Sequence, residues 1–177
     1  MTHRWSLAEV NTWDRATFVA RLGWLFEGSP WIVEAVWEAR PFADLVALHR
    51  ALIDVVHDAG EERQLALIRA HPDLVGRAAL TGSLSRESTA EQRAAGLDPG
   101  ALTAEEIARF TELNAAYRQK FSFPFVICAR EHTKATILAA FESRLHHSPE
   151  EEIATALGEI AKIAWYRLVD AVAEHDA

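Results

Sequence analysis

Apolar residues recur at intervals of three and four along most of this chain, and this helical periodicity constrains the fold more than any other feature. The clearest stretch runs from residue 42 to residue 70 and places Leu45, Leu48 and Leu52 on one helical face. Gly60 interrupts the stretch. The pattern therefore predicts two helices joined as a hairpin.

Comparable stripes cover residues 103–121, 133–146 and 149–171, whereas the run from Phe123 to Cys128 is the only strand candidate. A chain of 177 residues with this pattern is large enough to bury one core. The sequence therefore predicts an all-α fold of about eight helices, in a single compact domain that covers residues 1–177.

Residues suited to helix starts precede several of these stripes. Ser6, Asp14 and Ser29 each precede a helical segment and can accept hydrogen bonds from its first backbone amides, and a proline follows Ser29. Thr103-Ala104-Glu105-Glu106 has the form of a capping box, and Ser148-Pro149 precedes the final helix. These residues predict where the helices begin.

Composition narrows the class of function. A formal net charge of -8 and a pI near 5.5 argue against a nucleic acid partner, because phosphate binding needs a basic face. No apolar run approaches the roughly 20 residues of a membrane span, and the first residues lack the apolar stretch of a signal peptide. We therefore expect a cytoplasmic protein without a membrane or nucleic acid partner.

The sequence lacks the common motifs for metals and nucleotides. Cys128 is the only cysteine, which excludes a zinc thiolate site and an internal disulfide. Its apolar neighbours favour a packed thiol over a nucleophile. The histidines show no HExxH spacing, and there is no glycine-rich phosphate loop. We expect neither a metal nor a nucleotide cofactor.

Tryptophans are concentrated at the start of the chain, where five of the six lie before residue 38. They are Trp5, Trp13, Trp24, Trp31 and Trp37. Large aromatic side chains dominate both cores and subunit interfaces, so the N-terminal helices either cover the core or contact a partner. Core packing is the favoured interpretation.

An arginine interrupts the apolar stripe of the final helix. Ile153, Leu157, Ile160 and Ala164 recur at helical spacing. Arg167 falls on the same face. A buried guanidinium needs an anion, which is either an internal carboxylate or an acidic ligand. The periodicity alone favours an internal ion pair.

His71 is a candidate for acid–base chemistry. Because Pro72 follows it, His71 is expected in an extended backbone conformation just after a predicted helix, where it can face a cleft. An imidazole exchanges protons near neutral pH. Most single histidines are surface or core residues, so the position of His71 alone does not establish a catalyst.

A second capping-box pattern follows His71. Ser88 and Glu91 have the required spacing, which predicts that Ser88 starts a helix. The amides at a helix N-terminus also bind anions. The segment could therefore hold a carboxylate or an imide-like ring as well as cap the helix.

Five short motifs occur in order from residue 71 onward. They are His71-Pro72-Asp73-Leu74, Ser88-x-x-Glu91-Gln92, Ala95-Gly96-Leu97, Leu113-Asn114-x-x-Tyr117 and Phe121-x-Phe123-Pro124-Phe125-Val126. Together they resemble the OHCU decarboxylase family. The resemblance implies a cofactor-independent carboxy-lyase that converts 2-oxo-4-hydroxy-4-carboxy-5-ureidoimidazoline to (S)-allantoin in urate degradation.

The resemblance also implies roles for individual residues. His71 would be the catalytic acid–base, and Glu91 would assist it. The residues expected to bind the small-molecule substrate are Pro72, Ser88, Gln92, Arg167 and the backbone around Val126 and Ile127. The resemblance therefore favours Arg167 as a ligand of the substrate's acidic group. Arg144 also lies near an apolar face and is the alternative candidate for this role. It further implies a homodimer.

Two alternatives remain at the level of sequence. One is a noncatalytic helical interaction module that assembles through its tryptophan-rich N-terminal helices. The other is a decarboxylase of the same fold that takes another small heterocyclic acid. His71, Glu91 and Gln92 are all present, which argues against lost catalysis but not against a changed substrate.

Overall fold

Ten α-helices account for most of the structure, a computed structural model that describes residues 4–174. Their bounds are Leu7–Thr12 (α1), Arg15–Leu22 (α2), Pro30–Val36 (α3), Leu45–Asp58 (α4), Glu61–Arg69 (α5), Arg77–Leu80 (α6), Arg86–Ala94 (α7), Ala104–Phe121 (α8), Lys134–Arg144 (α9) and Pro149–Ala171 (α10). The all-α prediction is confirmed, but about eight helices was too low. Helix α6 has only four residues, too few for a readable periodicity.

The structure contains very little β-sheet. In the described part of the chain, the two strands are Trp5–Ser6 (β1) and Val172–Ala173 (β2), which pair in parallel. The prediction of a strand at residues 123–128 is wrong, because this segment pairs with no strand. The side chains of Arg144 and Glu159 bond to its backbone groups in place of a neighbouring strand.

Most of the predicted helix starts are confirmed. Ser6 and Asp14 accept hydrogen bonds from backbone amides of α1 and α2. Thr103 forms a capping box with Glu106 at the start of α8. Ser29 occupies the N-cap position of α3, but its side chain makes no capping bond. The residue type at position 29 therefore predicted where α3 begins, but the capping hydrogen bond expected of Ser29 does not form.

The chain folds into two compact units. The first contains residues 4–70 and 161–174 of the described chain, and the second contains residues 71–160. Helix α10 begins in the second unit and ends in the first. In the first unit, α3 packs against α2 and α4. The buried core of this unit includes Phe18, Leu22, Ile32, Val33, Leu48 and Leu52.

The two helices predicted between residues 42 and 70 are confirmed, with the break at Gly60, whereas their packing as a hairpin stays a prediction. Helix α4 ends at Asp58 and α5 begins at Glu61. Gly60 lies between them with a φ of +80°, a left-handed conformation that most side chains disfavour. The glycine therefore allows a connection of only two residues between the helices.

The tryptophans of the first unit are packed to different extents. Trp13 is buried, which confirms core packing for that residue. Trp24, Trp31 and Trp37 are partly exposed. Guanidinium groups lie over several rings, in the pairs Arg21–Trp5, Arg21–Trp13, Arg40–Trp37 and Arg63–Trp31. Intramolecular cation–π contacts therefore cover part of this aromatic surface.

The second unit is built around an aromatic cluster. Tyr117 of α8 is fully buried, and its ring lies between 4.6 and 6.2 Å from those of Phe121, Phe123, Phe125 and Phe141. Phe125 also stacks on Phe141 with a centroid distance of 3.7 Å. Aromatic packing therefore fixes the extended segment after α8 against α8 and α9.

A buried ion pair lies beside this cluster. Glu152 of α10 is fully buried and accepts hydrogen bonds from Arg144 of α9 over 2.9 to 3.2 Å. The hydroxyl of Tyr117 and Nδ1 of His147 also bond to Glu152. Burial by itself raises the pKa of Glu152, but the bonds from Arg144 and Tyr117 outweigh it and hold this pKa below its ordinary value. The ionised carboxylate therefore joins α8, α9 and α10.

The longest helix, α10, has 23 residues. Ser148 accepts a hydrogen bond from the Glu151 amide at its start, which confirms the predicted cap. The first turn also carries three glutamates, which favour the positive end of the helix dipole. In residues 4–174, every helix is either too short or too polar to traverse a bilayer.

Replacing Glu152 with glutamine should destabilise the protein at neutral pH. Arg144 would stay buried without its counter-charge, and breaking such a pair lowers the free energy of unfolding by about 3–5 kcal/mol. Because the folded-state pKa of Glu152 is lowered, its contribution is present above the unfolded pKa and is lost as pH falls through the folded one. Urea denaturation near pH 7 and at about pH 3 should show a difference that narrows in acid.

Glu150→Gln is the matched control for this measurement. Glu150 is an exposed residue in the same first turn of α10. Its replacement removes the same charge without affecting Arg144 and should change the free energy of unfolding little. Equal losses in the two variants would contradict a specific role for the buried pair.

Candidate functional site

The candidate site begins with the turn that follows α5, residues 71–76, which we call the His71 turn. His71 lies just past the end of α5 and is only 7% exposed. The predicted helix end before Pro72 is confirmed. Val75 has a left-handed φ of 51°, and a Cβ atom on Gly76 would come within 2.6 Å of a neighbouring side chain. The backbone is therefore tightly constrained after His71.

Two side-chain amides hold this turn. The backbone amide of Val75 donates to Oε1 of Gln92 over 3.1 Å. Nδ2 of Asn114 donates to the carbonyl of Leu74 over 2.8 Å. Both bonds engage the single peptide group between Leu74 and Val75, so the plane of that peptide is defined from both of its polar ends.

Helix α7 carries three of the predicted site residues on one buried face. Ser88, Glu91 and Gln92 have helical i, i+3 and i+4 spacing, and all three are buried. The predicted capping role of Ser88 is wrong, because α7 begins at Arg86 and Ser85 is its N-cap. The Ser88 amide donates to the Ser85 hydroxyl and is not left for an anion. Serine is a common N-cap residue at either position, and the helix starts directly after the earlier one.

Gln92 uses only one end of its side-chain amide within the protein. Oε1 accepts the Val75 amide, whereas Nε2 has no hydrogen-bond partner among residues 4–174. An amide N–H that is nearly buried gains by bonding to an acceptor. Nε2 is therefore suited to a carbonyl or carboxylate oxygen of a ligand.

The extended segment after α8 contributes backbone to the same unit. Val126 and Ile127 are buried, and the Val126 carbonyl accepts a hydrogen bond from Nη1 of Arg144 over 2.8 Å. The 3-10 turn Ala129–Glu131, which follows directly, packs against α7. Helix α7 therefore bonds to the His71 turn and packs against the turn that follows this segment.

The two candidate arginines both have internal partners. Arg144 pairs with Glu152, so the guanidinium that competed for the substrate anion is already neutralised. Arg167 lies in the first unit and is 2% exposed. Its Nη2 is 3.2 Å from a Glu27 oxygen, and its Nη1 donates to the Trp24 carbonyl over 3.3 Å. The internal ion pair predicted for Arg167 from periodicity is confirmed, and its ligand role stays a prediction.

Two residues that hold the His71 turn were missed in the sequence. Asn114 lies on the apolar face of α8, and a polar residue at such a position was the signal that could have identified it. Its Oδ1 is buried without a hydrogen-bond partner in the part of the chain that the structure describes. Arg118 donates to both carboxylate oxygens of Asp73, at 2.9 and 3.1 Å, but it is exposed and gave no such signal.

Comparison with known proteins decides the family. The family model described as OHCU decarboxylase matches residues 11–169 of this chain. This chain belongs to the OHCU decarboxylase family. The matched range includes residues of both compact units and every predicted site residue.

Other members of the OHCU decarboxylase family match over nearly their whole length. The 2-oxo-4-hydroxy-4-carboxy-5-ureidoimidazoline decarboxylase of Halalkalicoccus jeotgali is 38% identical, with 98% of this chain and 95% of the relative covered. The protein of the same name from Mus musculus is 41% identical, with 96% and 94% covered. A crystal structure of (S)-allantoin synthase matches at 30% identity with a TM-score of 0.76, covering 98% of this chain and 56% of that one. The chain thus spans just over half of that synthase.

Cys128 is a buried free thiol in this member of the OHCU decarboxylase family, as its apolar neighbours predicted. Its backbone amide donates to a Glu159 oxygen over 2.8 Å. Burial, together with the charges of Glu131 and Glu159, raises the pKa of the thiol to about 11. The thiol is therefore protonated near neutral pH and is a poor nucleophile.

Cys128 should react slowly with the thiol reagent DTNB while the protein is folded. At about pH 8 a thiol with a pKa near 11 is almost entirely protonated, and burial also limits access of the reagent. Release of thionitrobenzoate should become rapid and stoichiometric once urea unfolds the protein. Equal rates in the folded and unfolded protein would contradict the packed-thiol interpretation.

Proposed function

We propose that this protein decarboxylates 2-oxo-4-hydroxy-4-carboxy-5-ureidoimidazoline to (S)-allantoin, the last step in the conversion of urate to allantoin. The observation that carries the proposal is a buried His71 whose turn is bonded to α7, the helix with Ser88, Glu91 and Gln92 on its buried face. The chain is a member of the OHCU decarboxylase family, and relatives at 38% and 41% identity bear the name of this enzyme.

The substrate itself accepts the electrons that decarboxylation releases. When the C4–carboxylate bond breaks and CO2 leaves, the electron pair forms a C4=C5 bond, and the pair of the C5=N imine moves to nitrogen. The nitrogen then takes up one proton from solvent. The protein must therefore position the substrate, stabilise the charge that develops and supply a proton at C5.

His71 carries the proton transfer in this proposal. Its neutral imidazole accepts the proton of the C4 hydroxyl as the C4 carbonyl forms. The resulting imidazolium then donates this proton to one face of C5, which sets the stereochemistry of (S)-allantoin. An imidazole suits both steps because it gains and loses a proton near neutral pH.

The other residues of the second unit would orient and bind. Glu91 would orient the His71 imidazole and stabilise its protonated form. Ser88 and Nε2 of Gln92 would bond to the ureido and ring amide groups of the substrate. The substrate-binding surface would be completed by Pro72 and the backbone of Val126 and Ile127.

Arg167 would pair with an acidic group of the substrate. It has the buried guanidinium that such a role requires, and Glu27 lies 3.2 Å from its Nη2. Arg144 is the weaker candidate, because it makes three bonds to Glu152 and a fourth to the Val126 carbonyl. Both arginines are internally paired, so kinetic measurements on variants are needed to test the assignment.

The proposal also includes the domain organisation, the assembly and the cellular location of the protein. A single domain over residues 1–177 is supported by the family model, which spans residues of both units. A homodimer is implied by the family resemblance. A cytoplasmic location agrees with a lone, buried and unpaired thiol.

His71→Ala should abolish most of the activity while the protein remains folded. The assay mixes urate with uricase and the hydrolase that follows it, adds this protein and records circular dichroism as allantoin forms. We expect a fast (S)-allantoin signal with the wild type and a rate roughly 10²–10⁴-fold lower with the variant. His57→Ala is the control, because His57 is exposed on α4 and should leave the rate unchanged. Racemic allantoin at the uncatalysed rate with the wild type would overturn the proposed function.

Arg167→Met and Glu27→Gln together separate a ligand role for Arg167 from a structural one. Both variants break the same ion pair, but only the first removes the guanidinium. For a ligand role we expect KM to rise about 10- to 100-fold in Arg167→Met and to stay constant or fall in Glu27→Gln. An unchanged KM in both variants, with lower thermal stability, would leave Arg167 with the structural role alone.

A further inference from the structure

One peptide group in the His71 turn is held at both ends by buried side chains. Nδ2 of Asn114 donates to the Leu74 carbonyl, and Oε1 of Gln92 accepts from the Val75 amide. Both amide side chains belong to residues that are less than a tenth exposed. Most buried backbone groups bond to other backbone groups, so a peptide held by two side chains from different helices has an imposed orientation.

The clamped peptide precedes a strained residue. Val75 is β-branched, and its φ of 51° lies in a region that such residues rarely adopt. A conformation of this kind persists only where the surrounding contacts outweigh its strain. Val75 lies four residues after His71, and Pro72 restricts the backbone between them. The backbone between the clamped peptide and His71 is therefore restricted at both Pro72 and Val75.

Asn114 occupies its position at an energetic cost. Its Oδ1 is buried and has no hydrogen-bond partner within residues 4–174. A leucine, which has the same branched shape with methyl groups in place of the amide, would bury no unpaired oxygen and would suit the apolar face of α8. The contact that only the amide supplies is the bond from Nδ2 to the Leu74 carbonyl. The residue therefore serves the turn rather than the core.

We propose that Asn114 is a positioning residue that clamps the 74–75 peptide together with Gln92 and thereby orients His71 for proton transfer. This inference rests on the proposed decarboxylase function. The side-chain amide of Gln92 then has two roles. Its Oε1 accepts the bond that holds the turn, and its Nε2 donates a hydrogen bond to the substrate. A substrate acceptor at Nε2 polarises the amide and strengthens its bond to Val75, so substrate binding tightens the turn.

Asn114→Leu tests the clamp with a side chain of the same branching that cannot donate a hydrogen bond. We expect kcat to fall about 10- to 100-fold and KM to change less than about threefold, because a displaced imidazole slows proton transfer more than it weakens binding. An NMR titration of the His71 imidazole in the unliganded protein should show a shifted midpoint. This second readout does not depend on turnover.

Asn114→Asp provides a variant whose clamp depends on pH. A buried carboxyl has a raised pKa, and only its neutral form can donate a hydrogen bond to the Leu74 carbonyl. The ratio of variant to wild-type kcat should therefore rise as pH is lowered from about 8 to about 5. A ratio that stays constant or falls in acid would overturn the hydrogen-bond role of Asn114, including in the event that the leucine variant does not fold.

Asn11→Leu is the matched control. In the first unit, the side chain of Asn11 bonds to both the amide and the carbonyl of Phe42, at 2.8 and 3.0 Å. Its replacement removes a similar amide clamp from a different part of the chain. We expect lower stability but an unchanged kcat and an unchanged His71 titration.

The outcomes distinguish this inference from the function on which it rests. If Asn114→Leu keeps the wild-type kcat and the wild-type His71 titration, Asn114 is not a positioning residue. If the wild type itself produces no (S)-allantoin, the proposed function fails, and the His71 titration alone decides whether the clamp orients the imidazole. A shifted titration in Asn114→Leu but not in Asn11→Leu supports the clamp in either case.

Discussion

The buried pair between Arg144 and Glu152 is the interaction on which the second unit depends. Burying two charges is costly unless every polar atom around them is bonded. Here Tyr117 and His147 bond to the carboxylate, and the guanidinium also reaches the Val126 carbonyl. The pair therefore holds three helices together and supplies a donor to an extended segment that has no neighbouring strand. Loss of either charge would leave the other charge unpaired in the core, and loss of Arg144 would also remove the donor to the Val126 carbonyl.

The candidate site follows the same physical rule, in which buried side chains bond to irregular backbone. Asn114 and Gln92 hold the 74–75 peptide, as Arg144 holds the carbonyl of Val126. These elements have no helix or sheet of their own to define them, so the side-chain bonds preorganise them. Such rigidity suits the proposed reaction, because a substrate that provides its own electron sink needs accurate placement and a directed proton rather than a cofactor.

The site residues differed in how far the sequence could predict them. Ser88, Glu91 and Gln92 were expected in the site, and their spacing alone places them on one face of α7. The capping role of Ser88 was wrong because Ser85 offers the same chemistry one turn earlier. Asn114 carried a readable signal as a polar residue on an apolar face, whereas its bond to Leu74 joins positions 40 residues apart and follows from no local pattern.

Local sequence was enough to establish the all-helical class, the long helices and the caps of α8 and α10, because periodicity and capping depend on residues within one or two turns of each other. It also showed that Arg167 faces inward. Only the tertiary structure decided its partner, since Glu27 lies 140 positions away. The same holds for the extended segment at residues 123–128, whose apolar sequence is compatible with a strand. Folding gave its backbone side-chain partners instead, because hydrogen-bond partners are selected by proximity in space and not by residue type.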